Sequence, residues 1–458
     1  MVSVLRRERR PRNFLEGVIW KQILSFFLPI LAGSFFQQLY NMVDTVVIGH
    51  ALGTNALASV GTTTSLISLL VELFVGVSGG ASVVIAQYYG AREEEKVSKA
   101  VHTAVAFSLA GGLFLMVAGS LSAKPLLRLM QVPDEILDDA ALYMQVYYAG
   151  AIGSLLYNMG TGILRSVGDS RTPLLILIVC CFVNIGLDLL FVLKFNWGIF
   201  GVAFATILSQ YTSAILVMLI LMRSGDCCRI SLKKIRFHGP LLKQIIRIGL
   251  PNGLESASYS FSNVFVQTAI NGFGTVAIAA WSAIARIDCV VWMVMSAYAI
   301  SVSTMVGQNF GARQYDRLKK ITRVGFWMNL GSIVVVSLGI YFFCPYLLAI
   351  FTEDKEVIET GCMFLRILAT SYSLYVCISI FSCVIRGCGE SLQPMIITLL
   401  FICGLRLVWM LALVPRYPSI SFVALCYPAT WLTTGTIFLI YYLRGRWLTR
   451  AIKRQEAA

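Results

Sequence analysis

Long apolar runs separated by short polar stretches fill this chain, at 23–48, 57–86, 99–121, 139–163, 173–193, 199–222, 245–270, 276–307, 321–343, 359–385, 394–413 and 419–443. A helix of about 20 apolar residues spans a bilayer, and every run reaches that length. The pattern predicts an all-α polytopic membrane protein with twelve transmembrane helices. The first run follows Arg6-Arg7-Glu8-Arg9-Arg10, as a signal peptide would. It is too long for the apolar region of a signal peptide, about 7–15 residues, so it is expected to stay as the first span.

Composition agrees. Apolar residues make up 57% of the 458, and charged residues 13%, about half the share of a soluble domain. This excludes soluble multidomain enzymes, collagen-like chains and disordered chains. The net charge of +14 raises the question of nucleic acid, and its distribution answers it. With a cytoplasmic N-terminus, 29 Lys and Arg fall on the cytoplasmic side and 5 on the other. That is the positive-inside rule, with both termini cytoplasmic in a plasma (cytoplasmic) membrane. The counted charges are +19 inside, −3 outside and −2 within the spans. Topology accounts for the whole excess, and no nucleic-acid partner is needed.

Signatures of soluble catalysis are absent. No Walker A sequence and no HExxH occur, so the chain is not expected to be an enzyme or to use ATP. The histidines are His50, His102 and His238, scattered near helix ends, and the twelve cysteines form no CxxC pair. Metal and disulfide readings are weak, and small apolar packing residues describe the cysteines better.

The chain repeats itself. Gly53-Thr54-x-Ala56-x-Ala58 returns as Gly274-Thr275-x-Ala277-x-Ala279, and Gln87-Tyr88-Tyr89-Gly90-Ala91-Arg92 as Gln308-Asn309-Phe310-Gly311-Ala312-Arg313. Arg165-x-x-Gly168-Asp169-Ser170-x-x-Pro173 returns as Arg386-x-x-Gly389-Glu390-Ser391-x-x-Pro394. These three blocks recur at 221 residues, and Leu28-Pro29 recurs as Leu250-Pro251 at 222. Each half has six spans, an even number, so the halves are two parallel six-helix repeats related by an axis along the membrane normal. The expected division is an N-terminal lobe 1–222, a basic cytoplasmic linker 223–247 and a C-terminal lobe 248–458, the lobes facing a central cleft. Alternating access is the mechanism such a pair predicts; a channel or passive scaffold is the bland alternative.

Ionisable side chains inside spans cost about 2.5–3.5 kcal/mol at mid-helix on insertion scales, so each is a candidate. They are Asp44, Glu72, Asp188, Glu255, Asp288, Arg286, Arg366 and Arg406. Gln37 lies two turns before Asp44, and Asn184 one turn before Asp188, each pair on one helix face. Carried over at 221, Asp44 maps to Phe265, Asn184 to Leu405 and Asp188 to Trp409. Scaffold symmetry therefore does not require the two carboxylates, which makes them the better functional candidates. If the first and fifth spans face each other, they form a small oxygen cage holding a proton or a hard cation. Glu72, Glu255 and Asp288 have no readable partner. Arg286 and Asp288, two residues apart, point to nearly opposite faces and form no local pair.

These features resemble the multidrug and toxic compound extrusion (MATE) family over nearly the whole chain, and in particular its bacterial DinF-type branch. The carriers are Leu28-Pro29, Gln37-x6-Asp44, the Gln87–Arg92 loop, the Arg165–Pro173 block, Asn184-x3-Asp188 and Thr206. The resemblance implies two six-helix lobes around a V-shaped cleft, and export of cationic amphipathic compounds and drugs against H⁺ or Na⁺. It implies a coupling-ion site at Asp44, Asn184, Asp188 and Thr206 with Gln37 nearby, Na⁺ being one occupant, and a hinge at Pro29. It implies no cofactor beyond that ion; organic cations and membrane lipid are the expected partners, and a monomer is expected. Another branch uses C-lobe acids on the seventh and tenth spans. Here Glu255 sits earlier than that pattern, and the tenth span carries Arg366 but no acid. The alternative function is a lipid-linked oligosaccharide flippase of the same superfamily architecture, whose cleft basic residues would be Arg286, Arg366 and Arg406.

Overall fold

The computed structural model describes residues 14–225 and 227–456, so the basic cluster Arg6–Arg12 lies outside the described residues. Ten helices among them are long and apolar enough to cross a membrane. They are α1 (Ile19–Gly53), α2 (Ala58–Gly90), α3 (Glu94–Leu129), α6 with its extension (Arg171–Lys194), α7 (Gly198–Met222), α9 (Thr275–Gly311), α10 (Tyr315–Ala349), α11 (Lys355–Gly387), α12 (Leu392–Leu413) and α13 (Ile420–Leu443). Two further expected spans complete the twelve. One is a pair of 16-residue helices, α4 (Asp134–Ala149) and α5 (Ala151–Ser166), that break at Gly150. The other is α8 (Gly239–Asn271), whose Gln244, Arg247, Asn252 and Glu255 dilute its apolar content. A short amphipathic α14 (Arg446–Glu456) follows the last span.

The repeated sequence blocks are backbone devices. Gly53 adopts φ 84°, ψ −174° between α1 and α2, and Gly274 adopts φ 91°, ψ −176° between α8 and α9. A β-carbon disfavours that conformation, so glycine recurs. Arg92 and Arg313 share the left-handed region at φ 60° and 59°. Each sits in a matching helix-ending pair of hydrogen bonds: Arg92 N to Tyr89 O with Glu93 N to Tyr88 O, and Arg313 N to Phe310 O with Gln314 N to Asn309 O. Gly168 and Gly389, at φ 85° and 88°, end α5 and α11 in the same way. The 221-residue motifs thus mark where helices start and stop. The acids in the third block serve these ends too. Asp169 accepts from Thr172 N at 3.0 Å and Thr172 Oγ1 at 2.6 Å, while Glu390 is ion-paired with Arg454 of α14.

The chain packs as two units, and their limits differ from the expected lobes. Unit 1 holds Leu28–Gly253; unit 2 holds Phe14–Phe27 and Leu254–Ala458. In unit 1 the start of α8 lies against α2 through glycines spaced four apart. A Cβ on Gly76 would come within 2.3 Å of Gly253 N, and one on Gly249 within 2.4 Å of Val77 Cα. This is the close backbone approach that small-xxx-small pairs allow. In unit 2 the segment Phe14–Phe27 is fastened by Arg317, which donates to Phe14 O at 3.1 Å and to Gly17 O and Gln22 Oε1 at 3.0 Å. Phe27 stacks on Tyr298 at 4.1 Å. The expected boundary put Phe14–Phe27 in the first lobe; these contacts place it in the second unit. The expected linker 223–247 likewise ends earlier, because Gly239-Pro240 starts α8, and a proline in the first turn suits a helix N-terminus. Its preceding loop rests on α3, with Ser231 N donating to His102 Nε2 at 3.0 Å and Thr103 Oγ1 3.0 Å from His238 Nδ1.

Candidate functional site

In unit 1, α1 and α6 bring their polar residues together. With its amide nitrogen facing the carboxylates, Asn184 donates to Asp44 Oδ1 at 2.9 Å and to Asp188 Oδ2 at 3.2 Å. The two carboxyl groups are also close enough to act on each other electrostatically. Asn184 and Asp188 are fully buried, and Asp188 Oδ1 has no hydrogen-bond partner. No Lys or Arg is ion-paired with either carboxylate among the described residues.

The other expected members are placed less directly. Thr206 on α7 is buried and donates to Val202 O at 3.1 Å. It joins the cluster through the Tyr40 hydroxyl, one turn before Asp44. Gln37 is exposed and makes no hydrogen bond to the cluster among the described residues. Pro29 lies inside α1, one residue past the point where this helix passes from unit 2 to unit 1. Three tyrosines went unforeseen. Tyr40, Tyr143 and Tyr147 surround Asp44 electrostatically, the last two being helix neighbours on α4 with rings 6.3 Å apart. The Tyr40-x3-Asp44 spacing was the available signal.

This nest suits a proton or a small monovalent ion. Among the described residues no group of three His, Cys, Asp or Glu exists to hold a tightly bound metal. The Asn184 amide can serve either occupant. Its nitrogen facing the carboxylates matches a shared proton; its oxygen facing them would match a cation.

The candidates of unit 2 are engaged otherwise. Glu255 pairs with Arg386 at 3.3 Å and accepts from Thr398 Oγ1 at 3.1 Å. Asp288 accepts from Trp292 Nε1 at 2.7 Å and Tyr372 Oη at 2.6 Å. Arg286 is exposed, and no ion pair joins it to Asp288 among the described residues. Arg366 is exposed and lies over the Tyr341 ring at 5.6 Å. Glu72, on α2 of unit 1, is half-buried.

The matched contacts also correct the repeat register near the site. Cys181 Sγ donates to Phe36 O at 3.9 Å in unit 1, and Cys403 Sγ to Ser258 O at 3.5 Å in unit 2. Both partners of this pair are displaced by 222, not 221. Asn184 therefore corresponds to Arg406 rather than Leu405, Asp44 to Val266 and Asp188 to Met410. The carboxylates remain peculiar to unit 1, but the residue between them has a charged counterpart.

Twelve spans in two equivalent halves, with an acidic nest buried in one, define a polytopic membrane transporter. The sequence model of the MatE family matches residues 29–190 and 251–410, once in each half, and the chain belongs to that family. It is 29% identical over 448 residues to the probable multidrug resistance protein YoeA of Bacillus subtilis, covering 95% of this chain and 96% of the relative. It is 26% identical to the probable multidrug resistance protein NorM of Thermotoga maritima, covering 96% and 95%. A MOP superfamily transporter from Pyrococcus furiosus shares the fold with a TM-score of 0.87 and 25% identity, over 96% of this chain and 98% of that one. Nothing in these relatives favours the flippase alternative.

Proposed function

We propose that the chain is a cation-coupled antiporter that exports cationic amphipathic compounds by alternating access, with Asp44, Asn184 and Asp188 as the coupling site. The observation that carries this reading is the nest itself, two carboxyl groups bridged by a buried amide with no ion-paired Lys or Arg among the described residues. Two carboxylates so placed do not both stay bare; they hold a proton or Na⁺ between them, or the positive charge of a substrate. Asp44 and Asp188 take up the ion. Asn184 turns its amide to suit the occupant, and Thr206 and Tyr40 line the same region. A drug substrate is supported by the YoeA and NorM relatives, both probable multidrug resistance proteins.

Exchange follows if ion and substrate compete for these carboxylates, since each then weakens the other by the same factor. Pro29 is the natural hinge, because a helix-interior proline removes a backbone hydrogen bond just where α1 changes units. The distribution of Lys and Arg, 29 against 5, supports a plasma-membrane protein with both termini in the cytoplasm. We take it to work as a monomer, without covalent catalysis. The test is substrate flux in proteoliposomes with H⁺ and Na⁺ gradients imposed separately. Flux driven by one of them is expected; ethidium affinity that stays flat across both ion titrations would overturn the reading.

A further inference from the structure

The residue of unit 2 that corresponds to Asn184 is a buried cation that forms no ion pair among the described residues. Arg406 is fully buried, its guanidinium 4.6 Å from the ring of Tyr427 and 5.1 Å from that of Tyr259. Nη1 donates to Asn263 Oδ1 at 2.7 Å. Nε and Nη2 have no hydrogen-bond partner. These two nitrogens form one edge of the guanidinium, the edge whose parallel N–H groups grip both oxygens of a carboxylate or phosphate. The acids of this unit that lie in spans are engaged elsewhere, Glu255 with Arg386 and Asp288 with Trp292 and Tyr372.

Further donors lie close to the guanidinium. The Tyr259 hydroxyl approaches the guanidinium, and Trp431 Nε1 approaches that hydroxyl, yet each is buried without a closed hydrogen bond. Trp431 packs on Tyr427 at 5.4 Å. The surroundings therefore hold a positive charge and spare donors; Asp288 acts on Tyr259 and Tyr427 from a distance, but among the described residues no acid is ion-paired with Arg406, the reverse of the nest in unit 1. Unsatisfied buried donors next to an unpaired charge are costly unless something satisfies them.

The backbone here is also unusual. Arg406 sits in a four-residue α-helical turn, Leu405–Val408, between the π-helical stretches Leu399–Gly404 and Trp409–Leu413. Such wide turns recur at functional sites.

We propose that the Nε/Nη2 edge of Arg406, with Tyr259, Tyr427 and Trp431, is an oxyanion-binding subsite that takes the carboxylate or phosphate of an aromatic solute. It is separate from the coupling site and does not require that the chain be an antiporter. The test is equilibrium binding to the purified full-length protein, read by intrinsic tryptophan fluorescence and thermal stability, with no ion gradient. The probes are benzoate, phenyl phosphate, inorganic phosphate and, as a cation of similar size, benzylammonium. Benzoate or phenyl phosphate should bind saturably and raise the melting temperature, and benzylammonium should not do so at this site. Inorganic phosphate binding as well as phenyl phosphate would assign the same subsite to a free anion instead of an aromatic one.

Arg406→Lys keeps the charge but loses the fork, and should weaken binding about tenfold; Arg366→Met should leave it unchanged. Should the lysine variant fail to fold, Trp431→Phe removes one donor without touching the charge and should weaken binding about threefold. The proposal is overturned if neither aromatic anion binds the unmodified protein, or if Arg406→Lys or Trp431→Phe binds as well as it does.

Discussion

The two units carry opposite charges at one structural address. In unit 1, Asn184 bridges Asp44 and Asp188, and neither carboxylate is ion-paired among the described residues. In unit 2, Arg406 stands in place of Asn184, while Val266 and Met410 stand in place of the carboxylates. The scaffold is held alike in both, down to the thiol contact of Cys181 and Cys403 with the neighbouring helix and the paired left-handed positions at helix ends. Duplication thus supplied the frame twice, and a few side chains gave each frame its own polarity. Each half of a duplicated protein must therefore be read for its own chemistry.

The comparison can be broken most directly at the carboxylates. Asp44→Asn or Asp188→Asn should abolish gradient-driven export while the protein still reaches the membrane, because the neutral amide cannot carry the ion. Asp169→Asn, which alters only a helix end, should retain most of the flux. Proteoliposome transport of the three variants decides it, and equal losses would mean the unit 1 pair is not special. Almost as large an effect is expected from Asn184→Arg, which copies the unit 2 residue into unit 1. A fixed guanidinium would take the place of the bound ion in the nest, so ethidium binding should lose its dependence on H⁺ and Na⁺; persistence of that dependence would separate the nest from coupling.

A smaller effect should follow in unit 2. Glu255→Gln removes the partner of Arg386 in a partly buried pair, worth about 1–3 kcal/mol, which thermal denaturation in detergent would show. Ion coupling should survive, since that carboxylate has a counter-ion of its own. Packing offers a sharper contrast within unit 1. Gly249→Ala presses a methyl onto the backbone of Val77, whereas Gly79→Ala meets nothing within 4 Å. The first should cost about 1–3 kcal/mol, the usual penalty of overpacking, and the second should be nearly silent.

The smallest predicted effect lies in the loop before α8. Burial, and then the positive charges of Arg236 and Lys99, hold His238 below its usual value. The unfolded chain therefore binds this proton more readily, and the stability that His238 lends the loop is lost as pH falls through the ordinary histidine range. Backbone exchange at Ser231 and His238 should quicken between about pH 6.5 and 5, and His238→Asn should flatten that dependence. No quickening would show that His238 does not govern this docking.

Some of this was fixed by local sequence alone. The apolar runs determine where spans lie, because a bilayer accepts only segments whose backbone groups are satisfied internally. The repeated blocks mark helix ends, because left-handed positions select their residues locally, as at Gly53 and Gly274. Asp44 and Asp188 were legible as candidates, since each lay on a span with an amide neighbour at helical spacing, but that their helices meet was a condition the local sequence did not supply.

What the sequence left open depends on contacts between distant segments. Tertiary packing, with Arg317 and Tyr298 among the contacts, assigns Phe14–Phe27 to unit 2, and the glycine approach to α2 with the burial of Ile245 and Ile248 assigns Gly239–Gly253 to unit 1. Tyr143 and Tyr147 reach Asp44 from another helix, a hundred residues away in the chain. The equivalence of Asn184 and Arg406 turned on a single residue of register. One residue rotates a helix position by about 100°, and it takes the contacts of neighbouring helices to say which face a side chain presents.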